Sequence, residues 1–140
     1  MSNSDKHNHS EKITLVLVDD SRSFQLALEH YLSELSDFSF VAKAGSGQEA
    51  LRLPDSLLPD IVLLDWQLPD RSGLTLIAPL REKWPQTKVI VLTFADGPQH
   101  RAAALAAGAT NFVSKISAVD DLVPAMIEAM ESSSNSGGSA

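Results

Sequence analysis

The sequence predicts an α/β fold in which a parallel five-stranded sheet is covered by helices on both faces. The first observation is a set of short apolar runs, rich in β-branched residues, that end abruptly at polar residues. Such runs are typical of strands buried on both faces. The second observation is that segments with helical spacing of apolar residues alternate with these runs. This alternation indicates parallel strands joined by helical crossovers.

Five strands are predicted, and polar residues directly follow four of them. They lie at residues 13–18, 38–44, 61–64, 89–92 and 110–114, of which the second is weaker. The polar residues that follow are Asp19 and Asp20 after the first strand, Asp65 after the third, Thr93 after the fourth and Lys115 after the fifth.

The predicted helices lie between and after these strands, at residues 21–35, 47–53, 72–84, 98–107 and 117–131. The first has an apolar stripe from Phe24 to Leu35 and a cap at Asp20 or Ser21. The second is short and stops at Pro54, and the third has apolar residues at helical spacing. Each helix can therefore bury one face against the sheet.

Proline and glycine mark the later helices. The fourth has Pro98 in its first turn and Gly108 just past its end, the arrangement expected at helix termini. Pro79 and Pro124 fall inside the third and fifth helices, where we expect each to remove a hydrogen bond and kink the axis. Trp66 and Trp84 are interpreted as surface-packing residues.

The composition suits one domain of the chain's 140 residues, 44% of which are hydrophobic. The foldable part is residues 13–131. Residues 1–12 are polar and predict a disordered tail, and residues 132–140 (SSSNSGGSA) predict a flexible Ser/Gly tail or linker.

The bulk properties exclude several classes of protein. A formal net charge of −7 argues against direct nucleic-acid binding by this domain, because an acidic surface repels phosphate backbones. The lack of cysteine excludes disulfides, thiolate zinc sites and thiol nucleophiles. No apolar run approaches the roughly 20 residues of a membrane span, and the polar N-terminus lacks the apolar core expected of a signal peptide. We therefore expect a soluble, cytoplasmic domain without membrane association.

The polar residues that follow the strands predict a ligand site, because such folds bind ligands beyond the carboxyl ends of their strands. The residues expected at this edge are Asp19, Asp20, Asp65, Thr93 and Lys115. Three close carboxylates repel one another and would raise some of their pKa values, and a divalent cation relieves that repulsion. An all-oxygen site that is open to phosphate favours Mg²⁺ over zinc.

These residue types also suit phosphoryl transfer, which needs a nucleophile, a metal and fixed donors. A carboxylate can accept a phosphoryl group, the Lys115 ammonium can contact a phosphate oxygen, and the Thr93 hydroxyl can donate to another. The sequence has no Gly-rich phosphate loop, no metal-ligating His pair and no Ser-His-Asp arrangement.

The order of these residues resembles the receiver (CheY-like) domain of two-component response regulators. LLDWQLPDRSGL at residues 63–74 resembles the phospho-acceptor segment of that family, and VIVLTFAD and GATNFVSK resemble its fourth and fifth strands. The resemblance covers residues 13–130. It implies a flavodoxin-like (βα)5 doubly wound sheet with strand order 2-1-3-4-5.

The resemblance also implies roles for individual residues. Asp65 would accept a phosphoryl group from a sensor histidine kinase or a phosphotransfer protein. Asp20, Asp65 and the backbone carbonyl of Gln67 would ligate Mg²⁺, while Asp19 would act through water. The domain itself would be no enzyme beyond self-phosphotransfer and autodephosphorylation.

Thr93 and Phe112 match the switch pair of the family. Thr93 would turn towards the phosphoryl group and the Phe112 ring would swing inward, which changes the surface of the fourth helix and fifth strand. Gln67 and Ala95 would flank the phosphoryl group, and because neither side chain positions water well they favour a long-lived phosphoryl group.

Ile116 departs from the family, which usually has proline after the lysine with a cis peptide before it. A cis bond before a residue other than proline costs about 3 kcal/mol, so the peptide is either trans or strained. Ile116 favours an alternative reading, a pseudo-receiver that binds partners without phosphate. A third reading, a magnesium-dependent phosphatase, usually needs a second Asp where this chain has Gln67.

The output of the domain is open at this stage. The spacing of the last elements resembles regulators with a C-terminal helix-turn-helix domain, which would control transcription. The Ser/Gly tail could begin a linker to such a domain, missing from this chain, or could equally end a stand-alone receiver. The stripe of Leu122, Met126 and Met130 is interpreted as core. The alternative is that the last helix pairs two chains, as a homodimer formed on phosphorylation would require.

Overall fold

The computed structural model describes residues 12–94 and 97–139, with side chains up to Glu131. Residues 1–11 of the predicted N-terminal tail, Ala95, Asp96 and Ala140 lie outside the described residues. The described strands are β1 (Ile13–Val18), β2 (Phe38–Ala44), β3 (Ile61–Asp65), β4 (Lys88–Thr93) and β5 (Asn111–Ser114). They form one sheet in the order β2-β1-β3-β4-β5 with parallel pairing throughout. The predicted α/β fold and strand order are confirmed.

Five helices connect and follow the strands. They are α1 (Arg22–Ser33), α2 (Gly47–Leu51), α3 (Ile77–Lys83), α4 (Pro98–Ala106) and α5 (Ala118–Ser139). Three 3₁₀ turns supplement them at Asp55–Leu57, Gly73–Leu76 and Lys115–Ser117. Ser21 is the N-cap of α1, where its hydroxyl accepts a hydrogen bond from the Phe24 N–H at 3.3 Å.

The sheet separates two hydrophobic layers, because alternate strand residues point to opposite faces. One layer joins Leu15, Leu17 and Leu63 to residues of α1 and α5. The other joins Val16, Val18, Val62 and Leu64 to residues of α3 and α4. All five residues of β3 are buried, so this central strand is enclosed on both sides.

Trp84 lies in the second layer and is fully buried, so its interpretation as a surface residue is wrong. Its indole N–H donates to the carbonyl of Asp55 at 3.1 Å and to that of Pro54 at 3.3 Å. Because the polar atom of the ring has these partners, the ring can be buried at little cost.

The two helices that contain an internal proline in the prediction have different boundaries in the structure. Residues 73–76 form a 3₁₀ turn, so Pro79 falls in the first turn of α3, where the missing N–H needs no partner. Pro124 lies inside α5 as predicted. The helical backbone of α5 continues to Ser139, through residues for which the composition predicts a flexible tail.

The interpretation of the α5 stripe as core is confirmed. Leu122 and Met126 are fully buried, and Met130 packs against the same layer. Within the described part of the chain, no helix combines the length and apolar character that a membrane crossing requires.

Leu63→Ala tests the burial of the central strand. Leu63 has no exposed surface, so removal of its side chain should lower the free energy of unfolding by about 2–5 kcal/mol. Leu105→Ala is the control: that side chain is 43% exposed, and the change should stay within about 0.5 kcal/mol. Urea unfolding measures both, and equal losses would contradict a sheet buried on both faces.

Candidate functional site

The predicted site residues come together at the carboxyl edge of the sheet. Asp19 follows β1 directly, Asp65 is the last residue of β3, and Thr93 is the last residue of β4. Lys115 follows β5 and begins a 3₁₀ turn. The strand register pairs Val18 with Leu64 and Asp65 with Leu92, so β1, β3 and β4 end at about the same level.

Three carboxylates converge at this edge. One oxygen each of Asp19, Asp20 and Asp65 lies within 4.8 Å of the others. Asp19 is fully buried and Asp65 is nearly so, whereas Asp20 is exposed. The cluster is therefore open to solvent on one side and closed on the other.

Lys115 is the counter-charge that contacts this cluster. Its Nζ lies 2.7 Å from Asp19 Oδ2 and 3.4 Å from Asp65 Oδ2. The ammonium also lies 4.4 Å from the centre of the Phe24 ring and 5.1 Å from that of Phe94. Two carboxylates and two aromatic rings thus fix the position of a nearly buried ammonium.

The peptide between Lys115 and Ile116 is trans. The strained cis alternative is therefore absent. Although Ile116 stands where the family usually has proline, Lys115 still lies at the site. The Ile116 side chain itself is 76% exposed and points away from the core.

The pKa of Asp65 is raised above its ordinary value. Burial is the largest cause, and the charge of Asp19 adds to it. The ammonium of Lys115 and the Gln67 N–H, which donates to Asp65 Oδ1 at 3.4 Å, oppose the rise without cancelling it. The negative charge of Asp65 is therefore incompletely compensated by the protein.

The two oxygens of Asp19 have different partners. Its Oδ1 accepts a hydrogen bond from the Ser21 N–H at 2.9 Å. Its Oδ2 is buried and forms the ion pair with Lys115. Three carboxylates with a single ammonium between them form an all-oxygen cluster that fits a divalent cation of the Mg²⁺ or Ca²⁺ type.

A cavity of about 720 Å³ opens over the cluster. Its lining includes the predicted residues Asp20, Asp65, Gln67, Thr93 and Lys115. Asp19 lies beneath this lining, and Phe112 lies behind it with 4% of its surface exposed. The cavity therefore presents an acceptor carboxylate, an ammonium and a hydroxyl to the same space.

Trp66, interpreted from the sequence as a surface-packing residue, also lines this cavity. Its ring makes edge contacts with His100 at 5.3 Å and with Phe112 at 6.3 Å between centroids. The guanidinium of Arg101 lies 5.6 Å from the centre of the Phe112 ring, and its Nη2 donates to the Phe112 carbonyl at 3.3 Å. Phe112 is thus packed inward between two side chains.

Sequence reasoning missed further residues around the cavity. Phe94 directly follows the predicted site residue Thr93, and this adjacency could have indicated that Phe94 lies near the site. Phe24 and His100 reach the site from helices, and nothing in the sequence connects them to it.

The segment after Asp65 folds back as a short hairpin, residues 66–73, which we call the acceptor hairpin. Gln67 and Ser72 form an antiparallel bridge, and the Gly73 N–H donates to the Trp66 carbonyl at 2.5 Å. The Cα of Gly73 packs against the Asp65 carbonyl so closely that a Cβ would overlap the oxygen. A glycine is therefore required where the hairpin rejoins the strand.

This fold and site define a receiver domain. The chain matches the response regulator receiver domain over residues 15–127, and it belongs to that family, the receiver domains of two-component response regulators.

Curated relatives share this domain. The nitrate/nitrite response regulator NarL of Escherichia coli K12 is 29% identical over 122 residues, which cover 87% of this chain and 56% of NarL. A transcriptional regulatory protein of Bacillus subtilis, YhcZ, is 32% identical over 109 residues, or 78% of this chain and 51% of that protein. The chain thus spans about half the length of the curated relatives it matches.

Solved structures show the same fold. A LuxR-family response regulator from Aurantimonas sp. aligns with a TM-score of 0.77 and 29% identity, covering 86% of this chain and 85% of that one. A response regulator from Burkholderia pseudomallei, solved with a phosphorylated aspartic acid, a calcium ion and citrate, aligns with a TM-score of 0.73 and 27% identity. That alignment covers 90% of this chain and 73% of the other.

Asp65→Asn should stabilise the metal-free protein at neutral pH. A raised folded-state pKa means that ionisation of Asp65 opposes folding above the ordinary aspartate pKa of about 3.9. The melting temperature of the variant should therefore exceed that of the wild type at pH 7, and the gap should shrink as pH falls towards 4. Asp37→Asn, at an exposed position, is the control, and a gap that grows towards low pH would contradict the raised pKa.

Gly73→Ala should disrupt the acceptor hairpin. The added Cβ would overlap the Asp65 carbonyl oxygen, so the backbone must shift, at a cost of about 1–3 kcal/mol in the free energy of unfolding. At Gly45 the same Cβ would meet its nearest atom at 3.6 Å, an ordinary contact. Urea unfolding of Gly73→Ala and Gly45→Ala compares the two, and equal stabilities would show that the close approach is not required.

Proposed function

We propose that the domain is a phosphorylation-driven switch that accepts a phosphoryl group on Asp65 from a sensor histidine kinase or a phosphotransfer protein. The observation that carries this proposal is the placement of the Asp65 carboxylate in an open cavity, 3.4 Å from the Lys115 ammonium and beside two further carboxylates. A buried carboxylate with surplus negative charge around it is a nucleophile that needs a cation before an anionic donor can approach.

Mg²⁺ is the cofactor we propose for this step. Asp20, Asp65 and the backbone carbonyl of Gln67 would hold it, and Asp19 would act through a water molecule. When bound, the ion neutralises the carboxylates and the charge on the transferred phosphoryl group. The Burkholderia neighbour, which holds a phosphorylated aspartic acid and a calcium ion, supports this assignment for the family site.

The residues of the chain supply the remaining chemistry. A carboxylate oxygen of Asp65 forms the bond to phosphorus while the bond from phosphorus to the histidine nitrogen of the donor breaks, and the electron pair stays on that nitrogen. Lys115 is already within ion-pair distance of Asp65 and can contact a phosphoryl oxygen with little movement. Thr93 lines the same cavity and can donate its hydroxyl proton to a second oxygen.

The enzymatic contribution of the domain is limited to this transfer and to its own dephosphorylation. Magnesium-dependent phosphatases that act through an aspartyl phosphate usually have a second Asp, as acid/base, two positions after the nucleophile, and the residue at that position here is Gln67. The Gln67 amide orients an attacking water poorly, which favours a long-lived aspartyl phosphate.

The output we propose is a change of the surface formed by α4 and β5. Movement of Thr93 towards the phosphoryl group would alter the packing of Phe112, which Trp66 and Arg101 hold from two sides. Relatives of the LuxR family and a transcriptional regulatory protein among the curated matches support control of transcription, exerted through a domain beyond this chain. A homodimer formed on phosphorylation is a second output that this surface change could drive.

Intact mass spectrometry after incubation with a small phosphoryl donor and Mg²⁺ tests the proposal. The wild type should gain one phosphoryl group, and the gain should be absent in Asp65→Asn and in a chelator-treated sample. Decay of the adduct over time measures its lifetime. A folded wild-type protein that gains nothing would instead support the pseudo-receiver, a binding module that signals without phosphate.

A further inference from the structure

The tip of the acceptor hairpin is hydrogen-bonded to the N-terminus of α2. The two carboxylate oxygens of Asp70 accept hydrogen bonds from the N–H groups of Gly47 and Gln48, each at 2.9 Å. These contacts join residues 22 and 23 positions apart in the chain. They supply acceptors for the first two N–H groups of α2, which no residue within the helix can satisfy.

Arg71, the residue after Asp70, packs closely against the N-terminus of α2. A Cβ on Gly47 would lie 2.9 Å from Cδ and Nε of Arg71, so the hairpin rests directly on the backbone of Gly47. The next N–H of α2, that of Glu49, donates to Ser46 Oγ at 3.1 Å. The helix terminus is therefore capped jointly by its own Ser46 and by Asp70 of the hairpin.

The base and the tip of the hairpin are held differently. Trp66 and Leu68, at the base, pack against the second hydrophobic layer. The tip residues Pro69, Asp70 and Arg71 are exposed, so apolar burial contributes little to the position of the tip. Hydrogen bonds from Gly47, and then from Gln48, keep the pKa of Asp70 below its ordinary value despite some desolvation. The carboxylate is thus ionised at neutral pH and accepts from both donors.

We propose that Asp70 is a positioning residue for cation binding. Its hydrogen bonds to the N-terminus of α2 hold the acceptor hairpin in place, and therefore keep the Gln67 backbone beside the carboxylate cluster. This inference rests on the proposed function, because it assigns Asp70 a part in the Mg²⁺ dependence of phosphorylation. Residues that orient a ligand without touching the metal commonly change metal affinity by about 10–100-fold when removed.

The main test is the Mg²⁺ concentration that gives half the maximal rate of phosphoryl uptake from a small donor. Asp70→Ala should raise this concentration about tenfold, while the rate at saturating Mg²⁺ stays within about threefold of the wild type. Asp70→Asn should recover part of the loss, because its amide oxygen can still accept one of the two hydrogen bonds.

Ser46→Ala is the matched control. It removes a cap of the same helix terminus and leaves the hairpin unaltered, so it should not change the Mg²⁺ requirement. An unchanged requirement in Asp70→Ala, or an equal rise in Ser46→Ala, would overturn the proposal. Circular dichroism confirms that each variant is folded.

A second readout does not depend on phosphorylation. Coupling between two sites is reciprocal, so Mg²⁺ should slow hydrogen exchange of the Gly47 and Gln48 amides in the wild type, as measured by NMR. The slowing should be lost in Asp70→Ala. If the wild type takes up no phosphoryl group, the proposed function fails, and this exchange measurement still decides the role of Asp70: exchange unaffected by Mg²⁺ would overturn it.

Discussion

The contact of one buried ammonium with two buried carboxylates is the interaction on which the site depends. Lys115 lies 2.7 Å from Asp19 and 3.4 Å from Asp65, and it can neutralise one negative charge of the three that converge there. The attraction within a buried ion pair of this kind does not offset the free-energy cost of removing all of its charged groups from water. The raised pKa of Asp65 is a consequence of this imbalance. The remaining charge is the basis of the proposed divalent cation site and of the proposed phosphoryl transfer.

The fold holds this unfavourable cluster in place because the charged residues follow strands that are buried on both faces. Each strand is rigid, and its last residue cannot move away from its neighbours without loss of core packing. The acceptor hairpin is different: Trp66 and Leu68 pack at its base, but its tip is exposed and is held by polar contacts to α2. The carboxylates at the base of the site are therefore fixed by buried strands, whereas the position of the acceptor hairpin at its side depends on polar contacts.

The sequence predicted what depends on local pattern. Strands β1 and β2 have the predicted bounds, and Asp65, Thr93 and Lys115 lie where the ends of the apolar runs placed them. It failed for contacts between distant elements. Nothing in the sequence connects Asp70 with Gly47, and the burial of Trp84 depends on carbonyls about 30 residues away. These contacts are set by how the elements pack, which periodicity does not encode.

Calorimetric titration of the protein with Mg²⁺ at constant ionic strength tests the central claim most directly. The account predicts one binding site in the wild type, weakened by about tenfold or more in Asp20→Asn, because that variant removes a carboxylate of the cluster without disturbing the core. Glu82→Gln removes a charge at an exposed position elsewhere and should bind as the wild type does. Absence of binding, or equal loss in both variants, would contradict a specific cation site.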